Sequence, residues 1–298
     1  MTLRVEWLRG CATALVTPFT KTGAVDEARM RALVERQIAA GVKLLVPCGT
    51  TGESATLSTE EQQRVIAITI AAAKGKARVI AGVGNNNTAV TIERAKAARG
   101  AGADAALVVG PYYNKPTQAG FQAHYGAVAA AIPGFPVVLY NVPGRTGSNI
   151  AAATTLALAR EVDNVVAVKE ASGDLSQIMA ILRGRPDGFQ VLSGDDALTL
   201  AVIALGGEGI VSVASNEVPD LMSRMTDLAL AGDWTAARAL HYKLLPLMEG
   251  NFIESNPGPV KAAMAIMGLL EEQFRLPLVP VQEGTRARLK EILGHVAA

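Results

Sequence analysis

Cysteine, histidine and aromatic residues are scarce in this chain of 298 residues, and charge of either sign is nearly balanced. The two cysteines, Cys11 and Cys48, lie far apart, each inside an apolar run. That excludes a disulfide scaffold and fits the buried thiols of a reduced, cytoplasmic protein. The three histidines, His124, His241 and His295, have no ligand spacing, so no metal site is expected. A formal net charge of +1 with no long block of one sign removes the electrostatic case for nucleic acid or an anionic membrane. No stretch offers the roughly eighteen uninterrupted apolar residues that a spanning helix needs. The opening MTLRVEWLRG lacks the apolar core and cleavage pattern of a signal peptide. No membrane partner and a cytoplasmic location are therefore expected. Nucleotide fingerprints are missing as well. No GxGxxG opens a helix after the first strand, and no Gly-Lys-Ser/Thr follows the glycine-rich turn at 49–54, so no cofactor is expected.

What is abundant is apolar, small and periodic. Half of the chain is hydrophobic, which suits helices packed around a buried sheet. Short β-branched runs recur at roughly 25–35 residue intervals, as in a chain of βα units. They fall at 11–16, 44–48, 79–83, 105–109, 137–140, 165–169, 190–192 and 209–213, eight in all. Helical stretches at 26–40, 59–73, 88–101 and 118–131 lie between them, with start signals at Ser58-Thr59, Asp174 and Asp195-Asp196. Strand–helix alternation implies right-handed parallel units, and eight of these close into a barrel. An open doubly wound sheet is the competing arrangement. The expected fold is α/β: a (β/α)8 TIM barrel over residues 1–217. Residues 218–298 form a C-terminal helical extension of about four helices, with Pro219, Pro246, Pro257 and Pro277 as breakers.

In such barrels the chemistry sits on loops after the C-terminal ends of the strands, and the unusual residues of this chain gather there. The sixth strand, Val165-Val166-Ala167-Val168-Lys169, ends on a lysine. An amine carried into the mouth of an apolar layer loses hydration, which favours its neutral, nucleophilic form; taken alone, though, such a lysine more often marks where a strand meets water. After the second strand, Gly49-Thr50-Thr51-Gly52-Glu53-Ser54 sets backbone and hydroxyl donors in a nest able to hold a carboxylate. Tyr112, Tyr113 and Tyr140 stand at the ends of strands four and five, where phenols can relay protons. Arg145, in a Pro-Gly turn, can grip a second carboxylate. A lysine, phenols, a carboxylate nest and an arginine, with no redox cofactor, point to imine chemistry on a keto acid. A metal-dependent aldolase would need a cluster of ligands that this sequence lacks.

Five segments in order, GTTGESATL, PYYNKPTQ, LYNVPGRTG, VVAVKEASGD and LSGDDALTL, resemble the dihydrodipicolinate synthase/N-acetylneuraminate lyase superfamily from about residue 8 to residue 270. The resemblance implies a Schiff-base lyase or aldolase. The Arg145 loop and Asn256-Pro257-Gly258-Pro259-Val260-Lys261 favour the synthase branch. That branch condenses pyruvate with L-aspartate 4-semialdehyde in lysine and diaminopimelate biosynthesis. Branches acting on 2-keto-3-deoxy sugar acids or N-acetylneuraminate are the alternative. By resemblance, Lys169 forms the imine and Tyr140 moves protons beside it. Thr50 links Tyr140 to Tyr113 and, with Thr51, binds the pyruvate carboxylate; Arg145 holds that of the second substrate. Gly194 and Val211 line the pocket. Tyr113 is implied to reach a neighbouring subunit's site, in a homotetramer built as a dimer of dimers. Ser54, Ala55, Asn86 and Tyr112 match a lysine-binding regulatory site. Thr59, Gln62 and Val90 stand where sensitive members have histidines and a glutamate, so weak or absent feedback is expected.

Overall fold

A computed structural model of the chain describes residues 3–297. Eight strands follow one another as β1 Gly10–Ala14, β2 Leu44–Val46, β3 Arg78–Gly82, β4 Ala105–Val109, β5 Val137–Asn141, β6 Val165–Glu170, β7 Gln190–Ser193 and β8 Gly209–Ser212. Each pairs in parallel with the next, and β8 returns to β1, closing the barrel. The architecture is the (β/α)8 barrel, with helices between the strands and further helices after the last.

The strands are largely apolar because both of their faces are covered, with polar residues gathered at their ends. Leu44 and Val46 of β2 point into the barrel, packing with Leu107, Val138 and Val211, while Leu45 between them packs outward beneath the helices. The same alternation runs along β5, with Val137 and Leu139 outside and Val138 and Tyr140 inside. Strand β6 breaks it. Val137 pairs with Val165, but Val138 pairs with Ala167, so Val166 is an extra residue, a bulge. Val165 and Val168 join the outer layer, Val166 and Ala167 the inner one. The bulge changes the parity of everything after it. Lys169, which strict alternation from Val165 would send outward, instead faces the barrel interior beside Tyr140, its partner in register.

Helix starts follow local chemistry. The Ser58 hydroxyl accepts from the Glu61 N–H while the Glu61 carboxylate accepts from the Ser58 N–H, a reciprocal cap on Thr59–Ala73 worth about 1 kcal/mol. Asp174 accepts from the N–H groups of Ser176 and Gln177. Of the pair at 195–196, Asp195 caps, accepting from the Ala197 N–H. Asp196 instead turns inward, and its carboxylate receives the Val213 and Ala214 N–H groups just past β8. The helices Pro219–Leu230, Trp234–Gly250, Gly258–Ile266 and Glu283–Ala297 follow the barrel. Pro246 does not break this segment: it lies inside Trp234–Gly250, whose buried Leu244, Leu247 and Met248 pack against Met222 and Met225 and hold the helix on the barrel.

Candidate active site

The chain end of β6 delivers Lys169 into a cleft of about 110 Å³. The cleft is shared with Thr50 and Thr51 from the turn after β2, Tyr140 from β5, Arg145 from the helical turn Pro143–Thr146, and Gly194 after β7. Lys169 is 6% exposed, and its Nζ lies 4.0 Å from the centre of the Tyr140 ring. The neighbouring Glu170 is no counter-ion to it. That carboxylate faces away, accepting from Asn141 Nδ2 at 3.1 Å, the Ser172 N–H at 2.8 Å and Gln177 Nε2 at 3.0 Å. The amine thus sits buried against an aromatic face at the end of an otherwise largely apolar strand, with no carboxylate among the described residues paired to it.

Gly194 makes room for it. A Cβ there would stand 2.6 Å from the Ala171 Cβ and 3.1 Å from the Lys169 Cε. Of the remaining residues singled out from sequence, Val211 lies in the barrel's inner layer, and the residue after β8 that reaches the cleft wall is Val213. Tyr113 is outside the cleft of its own chain: it is 89% exposed, on a backbone with φ of 73°. A left-handed, solvent-facing tyrosine is costly on both counts. Ser54, Ala55 and Tyr112 meet in an adjoining cavity with Asn85, Arg94 and Arg145, and Asn85 Nδ2 donates to the Tyr112 hydroxyl at 3.2 Å. Asn86 does not join them; its carbonyl accepts from Asn114 Nδ2 at 2.9 Å.

A second set of residues around the cleft escaped the sequence reading. Asn256 lines it, donating from Nδ2 to Thr51 Oγ1 at 3.0 Å, while the Asn256 carbonyl accepts from Arg145 Nη2 at 3.2 Å. One helical turn on, Lys261 is fully buried with Glu53, at 2.5 Å. Its remaining N–H bonds go to the carbonyls of Thr17 at 3.1 Å and Gln273 at 2.7 Å, with the rings of Phe19 and Phe274 flanking it. Burial pushes Glu53 upward and Lys261 downward, and each is pulled back by the opposite charge. The Thr17 hydroxyl donates to the Gly52 carbonyl at 2.7 Å. The C-terminal segment therefore grips the Thr50–Thr51 turn from behind. The available signal was a single lysine in the apolar run that follows Asn256-Pro257-Gly258-Pro259. Cys48 is no rival nucleophile, since burial pushes its thiol up to about 12. Among the described residues no three His, Cys, Asp or Glu side chains gather as metal ligands would.

Residues 7–296 match the model of the dihydrodipicolinate synthetase family. The chain is 55% identical over 286 residues to the 4-hydroxy-tetrahydrodipicolinate synthase of Koribacter versatilis, covering 96% of this chain and 95% of that one. It superposes with a TM-score of 0.96 on the lysine-bound dihydrodipicolinate synthase of Cyanidioschyzon merolae, at 40% identity over 98% of this chain and 99% of the other. A dihydrodipicolinate synthase variant described as monomeric gives a TM-score of 0.95, at 40% identity over 97% of each chain.

Proposed function

This chain belongs to the dihydrodipicolinate synthetase family, and from that membership and its lysine cleft we propose a Schiff-base lyase. It condenses pyruvate with L-aspartate 4-semialdehyde to 4-hydroxy-tetrahydrodipicolinate, in lysine and diaminopimelate biosynthesis. The observation that carries this reading is the Lys169 amine, buried against Tyr140 in one cleft with Thr50, Thr51 and Arg145.

The Lys169 amine attacks the ketone carbon of pyruvate, whose carboxylate the Thr50–Thr51 turn receives. The resulting carbinolamine loses water to give the imine, and the Tyr140 phenol, next to the amine, passes the protons. Loss of a methyl proton turns the imine into an enamine. Its carbon attacks the aldehyde of the second substrate, whose carboxylate Arg145 holds. The substrate's own amine then adds to the imine carbon and expels Lys169, closing the ring with one water lost in all. Tyr113, exposed and held in a left-handed conformation, completes the proton relay in a neighbouring subunit, which makes a tight dimer the working unit and a dimer of dimers the assembly. The site is that of a cytoplasmic enzyme, and no described helix is long and apolar enough to cross a membrane. Lysine feedback is weak or absent: the cavity that holds Ser54, Ala55 and Tyr112 has no carboxylate on its walls to pair with the side-chain ammonium of lysine.

Borohydride in the presence of pyruvate should fix a three-carbon adduct on Lys169, and Lys169→Ala should show none. Pyruvate should disappear on addition of L-aspartate 4-semialdehyde, unaffected by millimolar lysine, and should persist with N-acetylmannosamine. An adduct without turnover of the semialdehyde would keep the imine and overturn the substrate.

A further inference from the structure

We infer that Asn256 is a positioning residue that aims the Thr51 hydroxyl proton at the carboxylate of the keto acid. The inference rests on the reading of Thr51 as a carboxylate ligand.

A threonine hydroxyl has one proton and two lone pairs, and its rotor turns to suit its neighbours. A carboxylate only accepts, so Thr51 serves it only if its proton points into the cleft. The Asn256 amide decides this. Its Nδ2 donates to Thr51 Oγ1 at 3.0 Å and occupies one lone pair, and among the described residues that hydroxyl makes no other hydrogen bond. The proton is left with the cleft as its outlet. Thr51 and Asn256 are both buried, at 3% and 4% exposure, so water does not compete freely for either position.

Asn256 is itself held from two directions. Its carbonyl receives Arg145 Nη2 at 3.2 Å, so the arginine is oriented by the same residue that orients the threonine. Downstream, the buried Lys261–Glu53 pair ties the helix Gly258–Ile266 to the residue two places after Thr51. The segment beyond the barrel thus supplies a part of the site that barrel loops alone would leave to a free rotor. A fixed donor receives the carboxylate without ordering a rotor at the moment of binding.

The test is a double-mutant cycle on pyruvate affinity, read from imine formation before any aldehyde is added, with melting temperatures alongside. Thr51→Val should weaken pyruvate binding. Asn256→Leu, close in size but without an amide, should weaken pyruvate binding about five- to tenfold through the misdirected hydroxyl, while turnover at saturating pyruvate, measured separately with the aldehyde, changes little. On the Thr51→Val background the same replacement should add nothing. Asn256→Ser, too short to reach Thr51, serves equally if the leucine variant does not fold. An Asn256 effect as large without the Thr51 hydroxyl as with it, or no effect in the presence of that hydroxyl, overturns the inference. Wild-type pyruvate affinity in Thr51→Val would instead overturn the role of Thr51 itself.

Discussion

Replacing Lys261 by Met tests the clamp between the barrel and the segment that follows it. The substitution keeps the length of an apolar stem between Phe19 and Phe274 and deletes the charge. It leaves the Glu53 carboxylate, with no exposed side-chain surface, facing no counter-ion at 2.5 Å, and it leaves the carbonyls of Thr17 and Gln273 without their donor. Removing one partner of a buried pair costs about 3–5 kcal/mol, chiefly through the charge left behind. In a domain of this size that lowers the melting temperature by on the order of 10 °C. The loss has a pH signature. Without Lys261, burial raises the carboxyl of Glu53 above its unfolded value against only the Arg275 N–H and the Arg275 charge. A group shifted that way contributes stability below the unfolded value and loses it as pH rises through the folded one. Lys261→Met should therefore be milder near pH 5 than near pH 8. Adding Glu53→Gln removes the orphaned charge and should recover part of the loss at pH 8. The assay is urea or thermal unfolding of the wild type, both single variants and the double variant at fixed protein concentration, at both pH values. A Lys261→Met variant within about 1 kcal/mol of wild type, or a strictly additive double variant, would refute the argument that the charge pair holds the clamp.

Gly194→Ala should cut kcat at least tenfold while the protein still folds, because its Cβ would lie 3.1 Å from the Lys169 Cε and displace the amine; wild-type turnover would show that the glycine is there for other reasons. Acid stability should fall in two windows. His124, lowered to about 4 by burial, stays neutral in the folded protein, so stability is lost as pH falls from about 6.5 towards 4; His124→Gln should flatten that limb of a melting-temperature profile. Glu61, lowered to about 2 chiefly by its hydrogen bond with Arg275, contributes stability above about 4.5 that drains away below it, and Arg275→Gln should shrink this second limb to the part held by the Ser58 N–H.

The order of strands and helices was legible in the sequence because a strand covered on both faces must be a short apolar run and several of the crossover helices announce their start with a capping side chain. The residues of the cleft were legible for a related reason: hydroxyls, phenols, an arginine and a lysine at the ends of apolar strands have no part in packing and so stand out against it. Neither pattern tells which way a strand residue faces once both faces are apolar. That was settled by the bulge at Val166, visible only when β5 and β6 are paired, which turns Lys169 from the helix side to the cleft. Nor does local sequence show what lies behind the carboxylate turn. Glu53 and Lys261 are separated by 208 residues, as are Thr51 and Asn256 by 205, and each reads alone as an ordinary polar residue. Their meeting depends on the return of the segment around Asn256 and the helix Gly258–Ile266 to the turn after β2. Burial then makes every unmatched charge and donor costly, and it is that cost which turns distant polar residues into one site.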